Sequence, residues 1–294
     1  MPEIVILSGK GGTGKTSLTA AFAHLAKNKV LCDLDVDAPD LHLILKPENL
    51  ETGEFFSGNE AIINQNLCTG CGICRDMCRY GAVSVTNGVF GINPIKCEGC
   101  KVCVHFCPAG AVDFPQRHCG QWRVSETRFG AMVHAQLFPG SENSGKLVTL
   151  LKRKSKELAK ARGLELIICD GAPGIGCPVI SSLSGANLAV AVTEPTPSGR
   201  HDLSRVMDLC RHFRLPMGVI VNKWDINGEE TALVEDLCAA RGVRILGRLP
   251  HDPAVTGAMV QGLAVTEFDP AGFGRLVKDV FNKVMDLAGV KQSA

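Results

Sequence analysis

The sequence lacks a charge excess: 31 basic residues stand against 30 acidic ones in 294, a formal net charge of +1. No long run of either sign breaks the balance, so the footprint of a bulk nucleic-acid binder or an anionic-membrane binder is missing. Long apolar runs are missing as well. No segment reaches the roughly 18 apolar residues of a spanning helix. The start, Met1-Pro2-Glu3-Ile4-Val5-Ile6-Leu7, has neither a charged n-region nor a long apolar stretch. A cytoplasmic protein with no membrane association and no bulk nucleic-acid partner is therefore expected. Outside one segment there is no Cys-x-x-Cys pair, and His24, His42, His105, His134, His201 and His251 lack metal-site spacing, so metal ligation is expected in that segment alone.

What is present is a chain with 45% hydrophobic residues, enough for one large core and a second small module. An apolar run over Glu3–Leu7 leads into a glycine-rich turn and a helical pattern from Lys15 to about Asn28. Further strands are predicted at Val30–Asp35, Leu164–Asp170, Leu188–Thr193, Met217–Val221 and Val243–Leu249. Helical patterns at Lys146–Arg162, Gly199–Phe213 and Glu229–Arg241 alternate with them. That alternation predicts an α/β fold with a doubly wound, mainly parallel sheet. Gly120–Gln136 reads as a short hairpin returning to the sheet. Gly274–Leu287 places Leu276, Val277, Val280, Phe281, Val284 and Leu287 on one core-facing helical stripe, and Lys152 through Lys160 reads as a solvated face.

The alternation breaks between about Ile62 and Pro115. There Cys68, Cys71, Cys74, Cys78 and Gly81-Ala82-Val83 recur 29 residues later as Cys97, Cys100, Cys103, Cys107 and Gly110-Ala111-Val112. The expected organisation is a main domain over 1–61 and 116–294 with a duplicated unit inserted at 62–115. Eight of the 14 cysteines fall in this insertion. Cys32, Cys169, Cys210 and Cys238 sit in apolar patterns and read as small core residues, while Cys119 and Cys177 are less clear.

Gly9-Lys10-Gly11-Gly12-Thr13-Gly14-Lys15-Thr16 fits the phosphate-loop pattern G-x-x-x-x-G-K-[ST] between a predicted strand and a predicted helix. Gly9, Gly11, Gly12, Thr13, Gly14, Lys15, Thr16 and Ser17 are thus candidate nucleotide-binding residues. The glycines let backbone N–H groups face phosphate, Lys15 supplies a point charge, and the Thr16 hydroxyl suits Mg²⁺. Lys10 adds a second lysine. On this K-G-G-x-G-K-T loop the chain resembles the deviant-Walker ATPases of the MinD, ParA, Mrp and nitrogenase iron-protein group. The resemblance implies ATP with Mg²⁺ as cofactor, hydrolysis, and a homodimer (or a heterodimer with a similar protein) bridged by nucleotide, with Lys10 reaching the phosphates of the partner subunit.

By the same resemblance Asp35 is the first candidate for orienting the attacking water, with Asp33 second and Asp37 read as a turn cap. Leu166-Ile167-Ile168-Cys169-Asp170-Gly171-Ala172-Pro173-Gly174 reads as a strand ending in a metal-holding Asp170, followed by a γ-phosphate-sensing turn at Gly174. Asn222-Lys223-Trp224-Asp225 spells the guanine-reading N-K-x-D, yet in the family a similarly placed Asn and a later Pro-x-Asp, here Pro250 and Asp252, embrace adenine. Asn222, Asp225, Pro250 and Asp252 are the candidate base-binding residues, with ATP favoured over GTP.

In the insertion, Cys-x-x-Cys-x-x-Cys-x-x-x-Cys occurs twice, the bacterial-ferredoxin pattern in which the fourth cysteine of each run ligates the other cluster. Two [4Fe–4S] clusters are expected, one on Cys68, Cys71, Cys74 and Cys107, the other on Cys97, Cys100, Cys103 and Cys78. Zinc is the alternative for paired cysteines, but two duplicated four-cysteine runs argue against it. The first run ends in Arg79 where the usual pattern has proline. The resulting expectation is an ATPase whose nucleotide state is coupled to two clusters, most simply in ATP-gated electron transfer to a redox partner protein. The alternatives are a cluster carrier serving an apo-acceptor and a ParA-like positioning ATPase with redox-sensing clusters. The likeness extends to cobyrinic acid a,c-diamide synthases, whose amide-forming chemistry is not expected because no glutaminase domain can be drawn in the remaining length.

Overall fold

The computed structural model describes residues 1–141 and 144–290. Its first elements are β1 (Glu3–Ser8), α1 (Lys15–Leu25), β2 (Lys29–Asp33), α2 (Leu41–Leu45), β3 (Glu48–Asn59) and β4 (Ile62–Ile63). Next come α3 (Ile73–Asp76), β5 (Val83–Thr86), β6 (Val89–Ile92), α4 (Val102–Phe106), β7 (Val112–Asp113), β8 (Gln116–Thr127) and β9 (Gly130–Leu137). The chain continues as α5 (Ser144–Arg162), β10 (Leu166–Pro173), α6 (Cys177–Leu183), β11 (Leu188–Thr193), α7 (Pro197–His212) and β12 (Met217–Asn222). It closes with α8 (Gly228–Ala240), β13 (Arg244–Leu249), α9 (Pro253–Gln261), α10 (Val265–Phe268) and α11 (Phe273–Leu287). Packing divides it into two units: Met1–Gly53, Trp122–Gln136 and Ser144–Ala294 form one, Glu54–Gln121 and Leu137–Asn143 the other. Residues 62–115 fall inside the second.

The main sheet runs in the order β13-β12-β11-β1-β10-β2-β9-β8-β3. β1 pairs in parallel with β10 on one side and β11 on the other, and β10–β2, β11–β12, β12–β13 and β2–β9 are parallel too. Every residue of β1 is buried, as expected of a central strand covered on both faces. The hairpin expected over 120–136 is longer than its sequence signal: β8 and β9 turn at Arg128–Phe129, and β9 adds to the sheet beside β2.

One large core lies where α1, α10 and α11 pack on the sheet, with Phe22 and Phe281 in ring contact at 5.3 Å between centroids. In α11, Phe273, Val277, Val280, Phe281, Val284 and Met285 face inward, while Leu276, expected in the stripe, is 37% exposed. The inward stripe therefore runs through Met285. Lys152 also departs from the sequence expectation. Instead of lying on a solvated face it is buried, paired with Glu3 Oε1 at 2.7 Å and donating to the carbonyls of Ser182 and Ser184 at the end of α6. A buried carboxylate needs such a partner, and the lone Glu3 in an apolar strand was the available signal. Cys32, Cys169, Cys210 and Cys238 are buried in this unit.

The second unit is built from two antiparallel pairs, β4 with β7 and β5 with β6, and the short helices α3 and α4. Its core is small: Ala61, Ile63, Val83, Phe90 and Val112, with six of the eight repeat cysteines packed against it. Among the described residues no helix is long and apolar enough to cross a membrane.

Candidate functional site

At the carboxyl ends of β1, β10 and β2 the first unit opens into a cleft of about 550 Å³. Crevices at this edge, where the strand order reverses, are where open parallel sheets bind ligands. The turn between β1 and α1 forms one wall through Gly11, Gly12, Gly14, Lys15, Thr16 and Ser17. Gly12 and Gly14 have φ of +81° and +89°, the left-handed region that favours glycine, and α1 then presents its N-terminus to the cleft. Asp35, Asp37 and Asp40 follow β2, Ala172 and Pro173 end β10, and Asn222, Lys223, Pro250, His251 and Asp252 close the far side. Asp37 is exposed and lines the cleft, and Asp40 occupies the N-cap position of α2.

The floor is a charged knot. Lys15 Nζ lies 2.8 Å from Asp170 Oδ2 and 3.5 Å from Asp35 Oδ2. Thr16 Oγ1 donates to Asp170 Oδ2 at 2.7 Å, and Thr19 Oγ1 donates to Asp170 Oδ1 at 2.7 Å. Burial alone would lower the Lys15 pKa, but Asp170, Asp33 and Asp35 outweigh it and the pKa rises. Asp33 is fully buried in register with Asp170, and burial followed by that neighbouring charge pushes its carboxyl well above the usual range. Its Oδ1 accepts from the Asp35 backbone N–H at 3.1 Å, and its buried Oδ2 has no hydrogen-bond partner among the described residues. Burial, opposed by Lys15, raises Asp35 to about 6.

Not every expected residue lines the cleft. Gly9 packs so closely that an added Cβ would stand 2.4 Å from Asp202 Cβ. The carbonyl of Thr13 accepts from Asn222 Nδ2 at 2.8 Å. Gly174 has φ +89° and donates its N–H to Ser8 O at 2.8 Å. Asp225 Oδ1 accepts from the His251 backbone N–H at 2.6 Å, which ties the two base-side loops together, and Asp252 caps α9 by accepting from Ala254 N at 2.8 Å. Lys10 points away from the floor: its Nζ is 2.5 Å from Glu194 Oε1. Residues not foreseen include Asp40, Lys223, Val255, Thr256 and Met259. Lys223 lay inside the N-K-x-D signature, whereas the short α9 left no distinct periodic signal.

An added Cβ on Gly14 would sit 2.5 Å from Asn222 Nδ2, at a φ that costs an L-residue about 1–2 kcal/mol. Gly14→Ala is accordingly expected to weaken nucleotide binding at least about tenfold with circular dichroism unchanged. A fluorescent-nucleotide titration checks it, and unaltered affinity would show that the Gly14–Asn222 contact does not shape the loop.

In the second unit the eight repeat cysteines are divided between two cavities. Cys68, Cys71, Cys74 and Cys107 line one; Cys78, Cys97, Cys100 and Cys103 line the other. The repeat carries its geometry with it. Ala82 N donates to Cys78 Sγ at 3.4 Å and Ala111 N to Cys107 Sγ at 3.3 Å. Burial would raise Cys78, but hydrogen bonds from the backbone of Ala82, Tyr80, Val83 and Gly81 win and lower its pKa. Cys74 and Cys103 are raised by burial and by their neighbouring cysteines. Among the described residues no three histidine, cysteine or acidic side chains gather closely enough for a single metal ion. Cys119 is buried and Cys177 exposed.

Residues 4–265 match the CobQ/CobB/MinD/ParA nucleotide binding domain. The chain belongs to this family. It is a MinD/ParA-type, ATP-binding P-loop ATPase with a mostly parallel central sheet. An uncharacterized protein of Methanocaldococcus jannaschii is 37% identical over 228 residues, 76% of this chain and 79% of the relative. The septum site-determining protein MinD of Escherichia coli is 21% identical over 300 residues, 96% of this chain and 90% of its own. Among solved structures, MinD of Pyrococcus horikoshii complexed with Mg-ADP superposes with a TM-score of 0.60 at 18% identity, covering 100% of this chain and 99% of that one. That likeness establishes the fold.

Proposed function

We propose that this ATPase carries two [4Fe–4S] clusters in a ferredoxin-like module at 62–115, inserted between 1–61 and 116–294, and couples nucleotide state to their redox state. It would act as a nucleotide-bridged homodimer that passes electrons to a partner protein. The observation that carries this reading is the division of the eight cysteines into two cavities, each lined by three sulfurs of one repeat and the fourth of the other. Crossed ligation requires that sorting, and a cubane needs its four thiolates spread around it instead of converged on one ion. The backbone N–H groups on Cys78 and Cys107 fit thiolate ligands as well, since such donors stabilise sulfur charge. When bound, the clusters supply one-electron redox chemistry.

On the nucleotide side, Lys15 and the Gly11–Gly14 backbone would hold the β- and γ-phosphates. Thr16 and Asp170, already 2.7 Å apart, would hold Mg²⁺, and Asp35 would orient the attacking water. Gly174, whose N–H donates to Ser8 O, would report on the γ-phosphate. Asn222, Pro250 and Asp252 would enclose the base. One oxygen of Asp225 is already committed to the His251 N–H, which favours adenine over the guanine reading of N-K-x-D.

The test is an anaerobic redox titration by EPR without nucleotide, with Mg-ADP, and with a slowly hydrolysed Mg-ATP analogue. A shift of about 59 mV in a one-electron potential corresponds to tenfold coupling, and a shift of this order is expected. Potentials that stay put would sink ATP gating. They would favour the second reading, a ParA-like positioning ATPase, which the resemblance of the fold to MinD supports; a fluorescently tagged chain would then show patterned localisation in cells.

A further inference from the structure

Glu194, in the turn between β11 and α7, holds two lysines at once. Its Oε1 is 2.5 Å from Lys10 Nζ and its Oε2 is 3.2 Å from Lys223 Nζ. The two cations differ in what else they touch. Lys223 lines the nucleotide cleft and donates to the phosphate-loop carbonyl of Gly12 at 3.2 Å. Lys10 faces away, with Thr196 Oγ1 at 3.3 Å and Ser198 Oγ at 3.5 Å as its remaining partners. One carboxylate thus connects a lysine that can sense a ligand in the cleft with a lysine that cannot.

We propose that Glu194 is a latch that parks Lys10 in the nucleotide-free protomer and competes for it with the triphosphate of a second copy, so that nucleotide bridges two copies of the chain only when Lys10 leaves Glu194. The idea rests on the bridged-dimer reading and adds a residue and an order of events to it. The two lysines hold the Glu194 carboxyl below the usual range despite the opposing effect of burial, so it is ionised at neutral pH and needs no proton to act. A phosphate group competes well for Lys223, because charge-assisted contacts to phosphate oxygens are stronger than the shared contact at 3.2 Å. With Lys223 drawn off, Lys10 is the one of the two lysines the carboxylate still holds, so the latch opens only as phosphate oxygens of the second copy take Lys10 in turn. Side chains 17–30% exposed leave room for Lys10 to swing outward. A glutamate here that served the active state directly would stabilise the dimer; a latch opposes it.

Glu194 is a positioning residue in this account, and the readout is assembly, which a merely structural role would not improve. Sedimentation velocity of the full-length holoprotein, with Mg²⁺ and a slowly hydrolysed ATP analogue, compares the wild type with Glu194→Gln, Glu194→Asp, Lys10→Ala and the Glu194→Gln/Lys10→Ala double variant. Glu194→Gln is expected to tighten the dimer about tenfold, within the usual range of coupling between sites. Glu194→Asp, which keeps the charge, should stay near the wild type, and the double variant should dimerise no better than Lys10→Ala alone. Dimers in the wild type with no gain in Glu194→Gln overturn the latch and leave the bridged dimer standing, as does a gain that persists without Lys10. Fluorescent-nucleotide binding with no dimers in any variant overturns both.

Discussion

Replacing Lys15 by methionine is expected to lower ATP hydrolysis by roughly a hundred- to a thousandfold or more, the scale of losing one preorganised electrostatic contact to the reacting group. The same change should destabilise the nucleotide-free protein. Lys15 is the cation nearest Asp170 and Asp35, and its charge also reaches buried Asp33. Removing one partner of such a buried set leaves uncompensated carboxylates and costs about 3–5 kcal/mol. The loss should depend on pH with a definite sign. Asp33 and Asp35 are raised in the folded protein, Asp35 to about 6, so the folded chain binds their protons more tightly than the unfolded chain does. Stability from these groups is therefore gained as pH falls through about 6 and lost as it rises. Urea denaturation of Lys15→Met should show a larger deficit against wild type at about pH 8 than at about pH 5.5, on either side of that titration. Equal deficits at both values would mean that the carboxylates are compensated by groups other than Lys15.

The second large effect concerns which cysteines fail together. Cys78→Ser is expected to remove the same half of the bound iron and sulfide as Cys103→Ser, although Cys78 belongs in sequence to the other repeat. Cys107→Ser should instead match Cys74→Ser. The cavities carry the prediction: Cys78 stands with Cys97, Cys100 and Cys103, and Cys107 with Cys68, Cys71 and Cys74. Iron analysis should fall to about half in each variant, since each proposed cluster would be held by four thiolates. EPR of the remaining cluster should sort the variants into the crossed pairs. Spectra that pair Cys78 with Cys74 would show ligation within each repeat and overturn the crossed arrangement. Zinc retained in place of iron after anaerobic reconstitution would count against clusters altogether.

Legibility in the sequence followed the range over which each physical cause acts. The strand–turn–helix around Gly9–Thr16, the parallel strands and the duplicated cysteine spacing are local in origin. Buried strands need apolar residues, a phosphate turn needs glycine at positive φ, and each cluster-type run needs its cysteines at short intervals. These features were readable without coordinates, and the family match over residues 4–265 agrees with the nucleotide-binding part of that reading.

What sequence could not supply was the pairing of charges brought together from distant parts of the chain. Asp33, Asp35 and Asp37 look alike along the chain. Folding buries Asp33 beside Asp170, sets Asp35 against Lys15 and leaves Asp37 at the cleft, so burial and neighbouring charge give three carboxylates three environments. Lys152 read as a surface lysine until the fold set buried Glu3 against it. Lys10 could be recognised from its loop, but Glu194 and Lys223 meet it only because β11 and β12 lie side by side, bringing the turns that follow them to the same edge of the sheet as the phosphate loop. Local sequence fixes which groups are available, and the desolvation and Coulomb energies that assign their states depend on neighbours that only the tertiary structure brings within reach.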